Sequence, residues 1–479
     1  MKKRIFSVLL ILTLILASCG ETKVSNDQTT SSDESVSVET DYLDTLGEKN
    51  FNGASYKILT AEDPNISIMN MQCGEITGEV INDTQYNRDK TIEARYNVVI
   101  EYPEFLLDDH SKVSNAALAG DYIADIYIDS LRDGKNGMSS VLSQGGLMNL
   151  LDVPYLQLDR EWWSSLMYEN LKINDKLFYT SGDVAITSFI GPACVYMNTT
   201  VAEKYHIDEN ELYSLVYDGT WTMDKLYSYT KDADNDLNSD GKMDCINDFY
   251  GIVNENNNLT STLLLASSGV HLSDYNNKTG KIEVALGTSE VVDTIENLSK
   301  WFKTVNNSGD DVYLFDRNFK SDQSIFALHY VESAIRRFRD MESDYVIYPM
   351  PKYDEDQSSY VSFINPWVRG FVAVPLVQEN IEKTGFITEV LEYQSVKTLR
   401  PAVIDITLKG KALRNDDSIA MLDLIFSTTY IDYNSIYGFG GSAEIINRAI
   451  FHGSPYASSY ASAKEKIDAE LDTFMKTFE

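Results

Sequence analysis

The residues with the clearest chemical potential lie in one acidic loop, DNDLNSDGKMDCIND, which spans residues 234–248. Carboxylate and amide side chains alternate there around a single glycine, and oxygen ligands at this spacing suit Ca²⁺. An EF-type loop in this register would use Asp236, Asn238, Asp240, the carbonyl of Lys242, and Asp244. Its twelfth position holds Asn247, and Asp248, a further candidate ligand, comes one residue late. The pattern predicts a structural calcium site; an acidic turn without metal is the alternative.

Residues that could carry out catalysis are few. The five histidines are isolated, without the HExxH or HxH spacing of a zinc site, at His110, His206, His271, His329 and His452. No GxSxG motif offers a nucleophilic serine. A glycosidase needs two carboxylates about 5–10 Å apart, and among 73 acidic residues counting cannot exclude such a pair. Cys73, Cys194 and Cys245 show no CxxC spacing and are predicted to be buried single thiols.

The elements that must position such residues alternate between strand-like and helix-like segments from Tyr56 onward. A strand in SYKILTAED is followed by a helical pattern in GEVINDTQYNRDKTIEARYN and by the strands VVIEY and DYIADIYIDS. This alternation predicts an α/β sheet with helices on its faces. Ligands of such sheets bind beyond the carboxyl ends of the strands. The polar strand ends Glu62-Asp63 and Asp129-Ser130 are therefore expected to face a cleft.

The N-terminus carries a targeting pattern. MKKRIFSVLLILTLILASCG combines a basic start with an apolar run too short to span a bilayer. It ends in LASC, which resembles a bacterial lipobox and implies cleavage before Cys19, with lipid on its thiol and new amine. Residues 1–18 would then be a signal peptide; an ordinary secretory signal is the alternative. Residues 19–53, rich in Ser, Thr and acidic side chains, are predicted to form a flexible tether.

Composition narrows the function further. The formal net charge of −33 repels phosphates and anionic headgroups, so nucleic acids and membrane surfaces are not expected as the main ligands. A chain of 479 residues is long enough for two lobes or domains. Its 30 tyrosines, against 19 phenylalanines, are typical of a wet cleft lined by aromatic rings.

Several further segments, taken in order, resemble the extracellular solute-binding lipoproteins of bacterial ABC importers, in the group that binds sugars and oligosaccharides. The segments are SQGGLMNLLDVPYL, EWWSSLMYENLKINDKLFYTSGD, GTWTMDKLYSYTKDAD, YVIYPMPKYDEDQSSY and LRPAVIDITLKGKALRNDDSIAMLDLI. Together with the helix and strands quoted above, they extend the resemblance over roughly residues 54–479. The ordered set behind a lipobox carries the resemblance, since no single segment does.

The resemblance implies a two-lobed α/β fold of the periplasmic-binding-protein type II kind. Its lobes are discontinuous in sequence, are joined by a hinge, and close around a ligand in the cleft between them. We expect lobe one at residues 54–185 and 364–432. Lobe two is expected at residues 186–363 and 433–479.

Sugars are bound by aromatic rings that stack on their C–H faces and by polar side chains that bond their hydroxyls. The candidates for such contacts are Trp367, Asn365, Tyr437, Trp163, Trp162, Tyr196, Asp129 and Glu75. Asn365 and Trp367 share one side of an extended segment near the expected return crossing. Tyr437 lies in the glycine-rich turn NSIYGFGGSAE. Trp162 and Trp163 are adjacent and must point in different directions, so packing in the core is the alternative for at least one of them.

These observations predict a monomeric, lipid-anchored receptor on the outer side of the cytoplasmic membrane, at the cell surface or in the periplasm. It would bind a carbohydrate, preferably an oligosaccharide, and present it to an ABC permease. No enzymatic activity and no organic cofactor are expected. The same fold binding a peptide or a polyamine is one alternative, and a surface glycosidase is another. The sequence identifies neither the sugar nor the permease.

Overall fold

The computed structural model describes residues 41–61, 74–106, 108–132, 134–302, 314–368, 370–404 and 416–479. The predicted signal peptide, Cys19, most of the predicted tether, Glu62-Asp63 and Cys73 lie outside the described residues. Within the described part of the chain, no helix is both long and apolar enough to cross a membrane.

The chain divides into two compact units, Met1–Gly47 and Glu48–Glu479. The described part of the first unit contains the short helix α1 (Tyr42–Thr45), which begins where the Asp41 side chain accepts a hydrogen bond from the Leu43 amide. All further elements belong to the second unit.

The strands are β1 (Ala54–Thr60), β2 (Val98–Glu101), β3 (Ile126–Asp129), β4 (Thr180–Ser181), β5 (Ala193–Asn198), β6 (Tyr250–Val253), β7 (Ser273–Asn276), β8 (Lys281–Val284), β9 (Ser324–Tyr330), β10 (Tyr345–Pro349), β11 (Ser362–Phe363), β12 (Phe371–Ala373) and β13 (Thr429–Tyr430). The helices are α2 (Val80–Tyr96), α3 (His110–Ala119), α4 (Gly137–Ser143), α5 (Ser165–Leu171), α6 (Thr199–Lys204), α7 (Glu209–Tyr217), α8 (Met223–Thr230), α9 (Asn258–Ser267), α10 (Ser289–Phe302), α11 (Leu314–Lys320), α12 (Glu332–Arg336), α13 (Ile381–Pro401), α14 (Asp416–Ser427), α15 (Tyr433–Tyr437), α16 (Ser442–His452) and α17 (Tyr456–Met475). Short 3₁₀ helices cover Leu150–Asp152, Ile186–Phe189, Phe439–Gly441 and Lys476–Phe478.

The first lobe is built on a five-stranded sheet with the strand order β2-β1-β3-β12-β4. Strands β1, β2 and β3 are parallel, and β12 runs antiparallel to β3 and β4. Helices α2 and α13 pack against one another over this lobe. Every residue of β3 is buried, as expected for a central strand with both faces covered.

The second lobe is built on a four-stranded sheet with the strand order β10-β5-β9-β6. All six residues of β5 are buried, and Tyr196 at its centre packs edge-on against Phe338 and Tyr345. Helix α14 packs against β10 of this sheet. The predicted division placed residues 416–427 in lobe one, whereas the packing of α14 associates them with lobe two.

The chain crosses from the first sheet to the second through residues 182–192 and returns through residues 364–370. Helix α13 packs in the first lobe and α14 in the second, and residues 405–415 between them are outside the described part. A short parallel pair, β11 with β13, ties the return crossing to the segment that follows α14. The two lobes are thus discontinuous in sequence and share a hinge.

Candidate functional site

An open cavity of about 340 Å³ lies where the two lobes meet beside the return crossing. It is bounded by the loop after β3, the first turns of α9, the return crossing, and the segment from α15 to α16. The lining residues are Arg132, Lys135, Asn258, Leu259, Thr262, Pro366, Trp367, Ser435, Ile436, Tyr437, Gly438, Gly441, Ala443 and Glu444.

The segments that follow the carboxyl ends of two strands line this cavity. Strand β3 of the first lobe leads into the loop with Arg132, and β6 of the second lobe leads into α9. The carbonyl of Pro366 accepts hydrogen bonds from the amides of Leu131 (2.8 Å) and Arg132 (2.9 Å), which hold the return crossing against the β3 loop. The cavity therefore occupies the position where α/β sheets bind ligands.

Trp367 presents the largest accessible ring in the cavity, with 52% of its surface exposed. Its amide donates a hydrogen bond to the side chain of Asn365 (2.9 Å), and the Asn365 amide donates to the Gly191 carbonyl (3.0 Å). Asn365 is buried and forms an Asx turn. The two predicted residues therefore lie together, but Asn365 holds the backbone of Trp367 and is not among the residues that line the cavity.

Tyr437 borders the same cavity from the second lobe and touches the first. Its ring lies against the backbone of Gly134, where a Cβ would come within 2.4 Å of the tyrosine Cδ1. Gly134 also has a φ of +73°, so glycine is required there for two reasons. The ring packs against Phe474 at 4.4 Å between centroids, and burial raises the pKa of Tyr437 to about 12. The phenol is therefore neutral under ordinary conditions.

Arg132, Lys135, Asn258 and Thr262 are among the polar residues of the cavity that were not singled out from the sequence. Signals for them were present, because SLRDGKNG follows β3 directly and NENNNLT follows β6 directly. The rule that places ligands beyond the carboxyl ends of strands would have found both loops. Arg132 lies two residues beyond Ser130, the polar strand end that the sequence predicted to face a cleft.

Asp129 and Tyr196 are placed in the two cores and not in the cavity. The Asp129 carboxylate is fully buried and accepts hydrogen bonds from the Ser130 amide (2.7 Å) and the Tyr127 hydroxyl. The Tyr196 hydroxyl donates to the Tyr330 carbonyl at 2.8 Å. Burial accordingly raises the pKa of Tyr196 well above its usual value.

Glu75 is exposed ahead of α2, and its carbonyl accepts a hydrogen bond from the Asn82 side chain (3.0 Å). The segment before it, residues 62–73, is outside the described part of the chain. Glu75 is not among the residues that line the cavity.

The tryptophan pair lies beneath the first crossing, with both rings 4% exposed. The indole N–H groups of Trp162 and Trp163 each donate to the carboxylate of Glu389 on α13, both at 3.0 Å. Trp163 also borders a second cavity of about 380 Å³ at the hinge, next to an ion pair between Asp183 and Arg400 (2.7 Å). Both rings therefore have structural contacts that account for them.

The acidic loop folds through hydrogen bonds between its carboxylates and its own amides. Asp236 accepts from Ser239 (2.6 Å) and Gly241 (2.9 Å), and Asp240 accepts from Lys242 (2.8 Å). Gly241 has a φ of +79°, which the sharp turn requires. Among the residues that the structure describes, no group of three or more His, Cys, Asp or Glu side chains is arranged to hold a metal ion.

The acid that comes one residue late, Asp248, binds backbone amides of the loop. Asp248 is fully buried, and its two oxygens accept hydrogen bonds from the amides of Leu237 (3.0 Å) and Asp244 (2.8 Å). The Asp248 carboxylate therefore joins two parts of the loop by binding their backbone amides. Asn238 and Asp244 likewise accept amide hydrogen bonds from within the loop.

Comparison with known proteins shows which of them share this architecture. No protein-family model matches the chain, and no curated protein sequence matches it. Solved structures do. A cyclo/maltodextrin-binding protein complexed with maltotetraose has a TM-score of 0.57 at 15% identity, covering 89% of this chain and 96% of that one.

Two further structures agree. The GacH receptor of Streptomyces glaucescens, solved unliganded and with acarbose, has a TM-score of 0.53 at 13% identity over 88% of this chain and 98% of its own. The ABC substrate-binding protein Lmo0181 from Listeria monocytogenes, in complex with cycloalternan, has a TM-score of 0.54 at 11% identity over 89% and 100%. The predicted two-lobed α/β fold is confirmed: the chain has the fold of these substrate-binding proteins.

Proposed function

We propose that the protein is a receptor that binds a carbohydrate in the cavity beside Trp367 and delivers it to an ABC importer. The observation that carries this proposal is the half-exposed indole of Trp367 on a cavity bounded by both lobes. A sugar ring that covered the indole would remove apolar surface from water, while Asn258 and Thr262 offer hydrogen bonds to its hydroxyls.

The structural neighbours support the same class of ligand. The three proteins described above have been solved in complex with maltotetraose, acarbose or cycloalternan, one of them also without ligand. Their likeness to this chain lies in the fold, and the choice of a carbohydrate for this chain rests on the lining of its own cavity. The position of that cavity between lobes allows hinge closure to enclose a ligand.

A binding role is favoured over a glycosidase by the charges of the cavity. Glu444 is the one carboxylate among the described residues that line it, and a glycosidase needs two. Glu444 is also engaged by Arg448 at 2.6 Å. We therefore propose that the protein binds its ligand without covalent chemistry.

Lipid anchoring at Cys19 completes the proposal. The lipobox-like LASC would tether the receptor to the membrane through acyl chains, outside the cytoplasm. Mass spectrometry of the protein from its native membrane tests this, because lipidation adds the mass of acyl chains to a peptide that begins at Cys19. An N-terminal peptide without that mass would contradict the anchor.

We also propose that residues 236–244 hold a structural Ca²⁺, on the basis of the spacing of the donors. A carboxylate has about four lone-pair sites, so an amide hydrogen bond leaves capacity for a metal. Thermal unfolding in Ca²⁺ and in chelator, for the natural chain and Asp240→Ala, tests this. A melting temperature that calcium raises only in the natural chain supports the site. No effect of calcium, or equal effects in both proteins, would contradict it.

The receptor proposal is tested by native mass spectrometry of the full-length chain with a mixed panel of mono- and oligosaccharides. The detergent must lack a sugar headgroup, since such a headgroup would compete for the cavity. We expect an adduct of intact sugar mass and an unchanged pool of free sugars. Accumulation of shorter sugars would show an enzyme. Adducts with peptides or polyamines alone would show a receptor for another solute.

A further inference from the structure

We infer that the preferred carbohydrate carries a negative charge, as a carboxylate, sulfate or phosphate group. This inference rests on the proposed function and adds the chemical class of the ligand. It starts from a contrast of charge: the whole chain has a net charge of −33, yet Arg132 and Lys135 both line the cavity. Cationic side chains in the candidate site of so acidic a protein need an explanation.

Arg132 is the central observation. Arg132 borders the cavity, yet only 9% of its surface is exposed. The protein therefore buries a cation beside the candidate site. The amide of Arg132 donates a hydrogen bond to the Pro366 carbonyl (2.9 Å), which holds its backbone next to the segment that carries Trp367. A guanidinium can bind a carboxylate or sulfate through two parallel N–H groups.

One partner of Arg132 is an exposed acid. The Nη1 of Arg132 lies 3.1 Å from a carboxylate oxygen of Asp108, whose side chain is 85% exposed. An ion pair with so exposed a partner contributes little free energy, because water and salt screen it. A ligand anion enclosed by two lobes interacts more strongly than Asp108, since enclosure removes the screening water.

The other charges of the cavity are consistent with an anionic ligand. Lys135 is exposed at the mouth. Glu444, the one lining acid among the described residues, is held by Arg448 on the next turn of α16. Among the described lining residues, two carry a positive charge and one carries a negative charge.

Two helices add to the positive potential. Helices α9 and α16 both begin at the cavity, and helix N-termini carry partial positive charge. Helix α16 has no side-chain cap at its first residues. The two helix ends are consistent with an anionic ligand. The inference itself depends on the buried Arg132.

The test compares each charged sugar with a neutral form of the same skeleton. Trigalacturonate and its methyl ester form one pair, trimannuronate and its methyl ester a second, and a sulfated disaccharide and its desulfated form a third. Binding is measured by isothermal titration calorimetry on the full-length chain at low and high salt. We expect at least one charged sugar to bind at least about tenfold more tightly than its neutral form, and high salt to reduce this difference.

Three variants identify the residues responsible. Arg132→Gln should weaken binding of the charged sugar at least about tenfold, and Lys135→Gln about three- to fivefold. Glu444→Gln should tighten it, because an acid is removed from the rim. None of the three should change binding of the neutral form as much as that of the charged form. Lys464→Gln, on α17 outside the cavity, is the matched control.

The outcomes separate this inference from the proposed function. If neutral sugars bind as tightly as the charged forms, the inference is wrong and the sugar receptor stands. Binding of charged sugars that the Arg132 and Lys135 variants leave unchanged would overturn the assignment of charge recognition to this cavity. If no sugar of either kind binds, the proposed function fails and the inference fails with it.

Discussion

Trp367 and the adjacent pair Trp162 and Trp163 carry the same side chain in opposite environments. The rings of the pair are 4% exposed, and their N–H groups share the two oxygens of Glu389. Trp367 is 52% exposed on a cavity, and Asn365 fixes its backbone. In the hinge the polar atoms of the aromatic rings are bonded within the protein. In the cavity a large apolar surface remains in contact with water.

The contrast separates structural aromatic residues from candidate ligand contacts. A buried indole N–H needs an acceptor, because leaving it without one costs free energy. The two carboxylate oxygens of Glu389 are the acceptors for Trp162 and Trp163. A half-exposed indole beside polar groups from both lobes gains from a ligand that covers it. The amount of tryptophan surface that the protein leaves unburied therefore distinguishes the two roles better than position along the chain does.

The largest expected effect comes from removing the shared acceptor of the hinge. Glu389→Ala leaves two buried indole N–H groups without a partner, and each costs about 1–3 kcal/mol. We expect the free energy of unfolding in urea to fall by about 4 kcal/mol. Glu379→Ala, at an exposed position just before α13, is the control and should change it by less than about 0.5 kcal/mol. Equal effects of the two variants would contradict the structural role of the pair.

A second prediction uses pH to examine the hinge. Glu392 is fully buried, and its carboxylate lies where a Cβ of Gly182 would be. Burial raises its pKa well above the usual value, and the nearby Asp183 adds to this while Arg88 opposes it. Burial also raises the pKa of Asp183 to about 7, against the opposing effect of Arg400.

The folded protein holds these two protons more tightly than the unfolded chain does. The two carboxyl groups therefore contribute fully to the free energy of unfolding below about pH 4, and this contribution is lost as pH rises through their folded pKa values. Glu392→Gln removes one such group. We expect the slope of unfolding free energy between pH 5 and 7 to become shallower by up to about 1.4 kcal/mol per pH unit. An unchanged slope would show that Glu392 is not protonated in the folded protein.

The third prediction examines the cavity. Trp367→Ala should weaken binding of the sugar found by native mass spectrometry by about 2 kcal/mol, or roughly 30-fold, because the stacking surface is lost. The free energy of unfolding should change by less than about 1 kcal/mol. Trp301→Ala, which removes a ring packed on Tyr353 outside the cavity, is the matched control and should leave affinity unchanged.

The smallest effect is expected at Asn365, which positions Trp367. Asn365→Ala removes the acceptor for the Trp367 amide and should weaken binding about threefold to fivefold, at a cost in stability of about 1 kcal/mol. Asn365→Asp keeps that acceptor and should restore affinity. If Asn365→Asp binds as weakly as Asn365→Ala, the Asn365 side chain contacts the ligand directly.

Much of this organisation was accessible from the sequence. The alternation of strands and helices predicted the α/β fold, and ordered segments predicted two lobes. Trp367 and Tyr437, placed by their positions near crossings, do lie on one cavity. Arg132 and Lys135 were within reach of the rule that located Asp129, since they follow the same strand.

Other features could not be predicted, because they depend on contacts between distant parts of the chain. Glu389 lies 226 residues beyond Trp163, and no local pattern relates the two. Tyr196 occupies a strand that the sequence placed near a crossing, and only the packing of Phe338 and Tyr345 around it shows a core residue. The role of Asp248 likewise depends on the path of the loop above it.

The site at Trp367 is tested most directly by a crystal structure of the protein with the sugar identified by native mass spectrometry. We predict a sugar ring stacked on the indole of Trp367, enclosed between the loop that carries Arg132 and the start of α9. A sugar bound elsewhere, such as the hinge cavity beside Trp163, with the face of Trp367 still exposed to water, would contradict it.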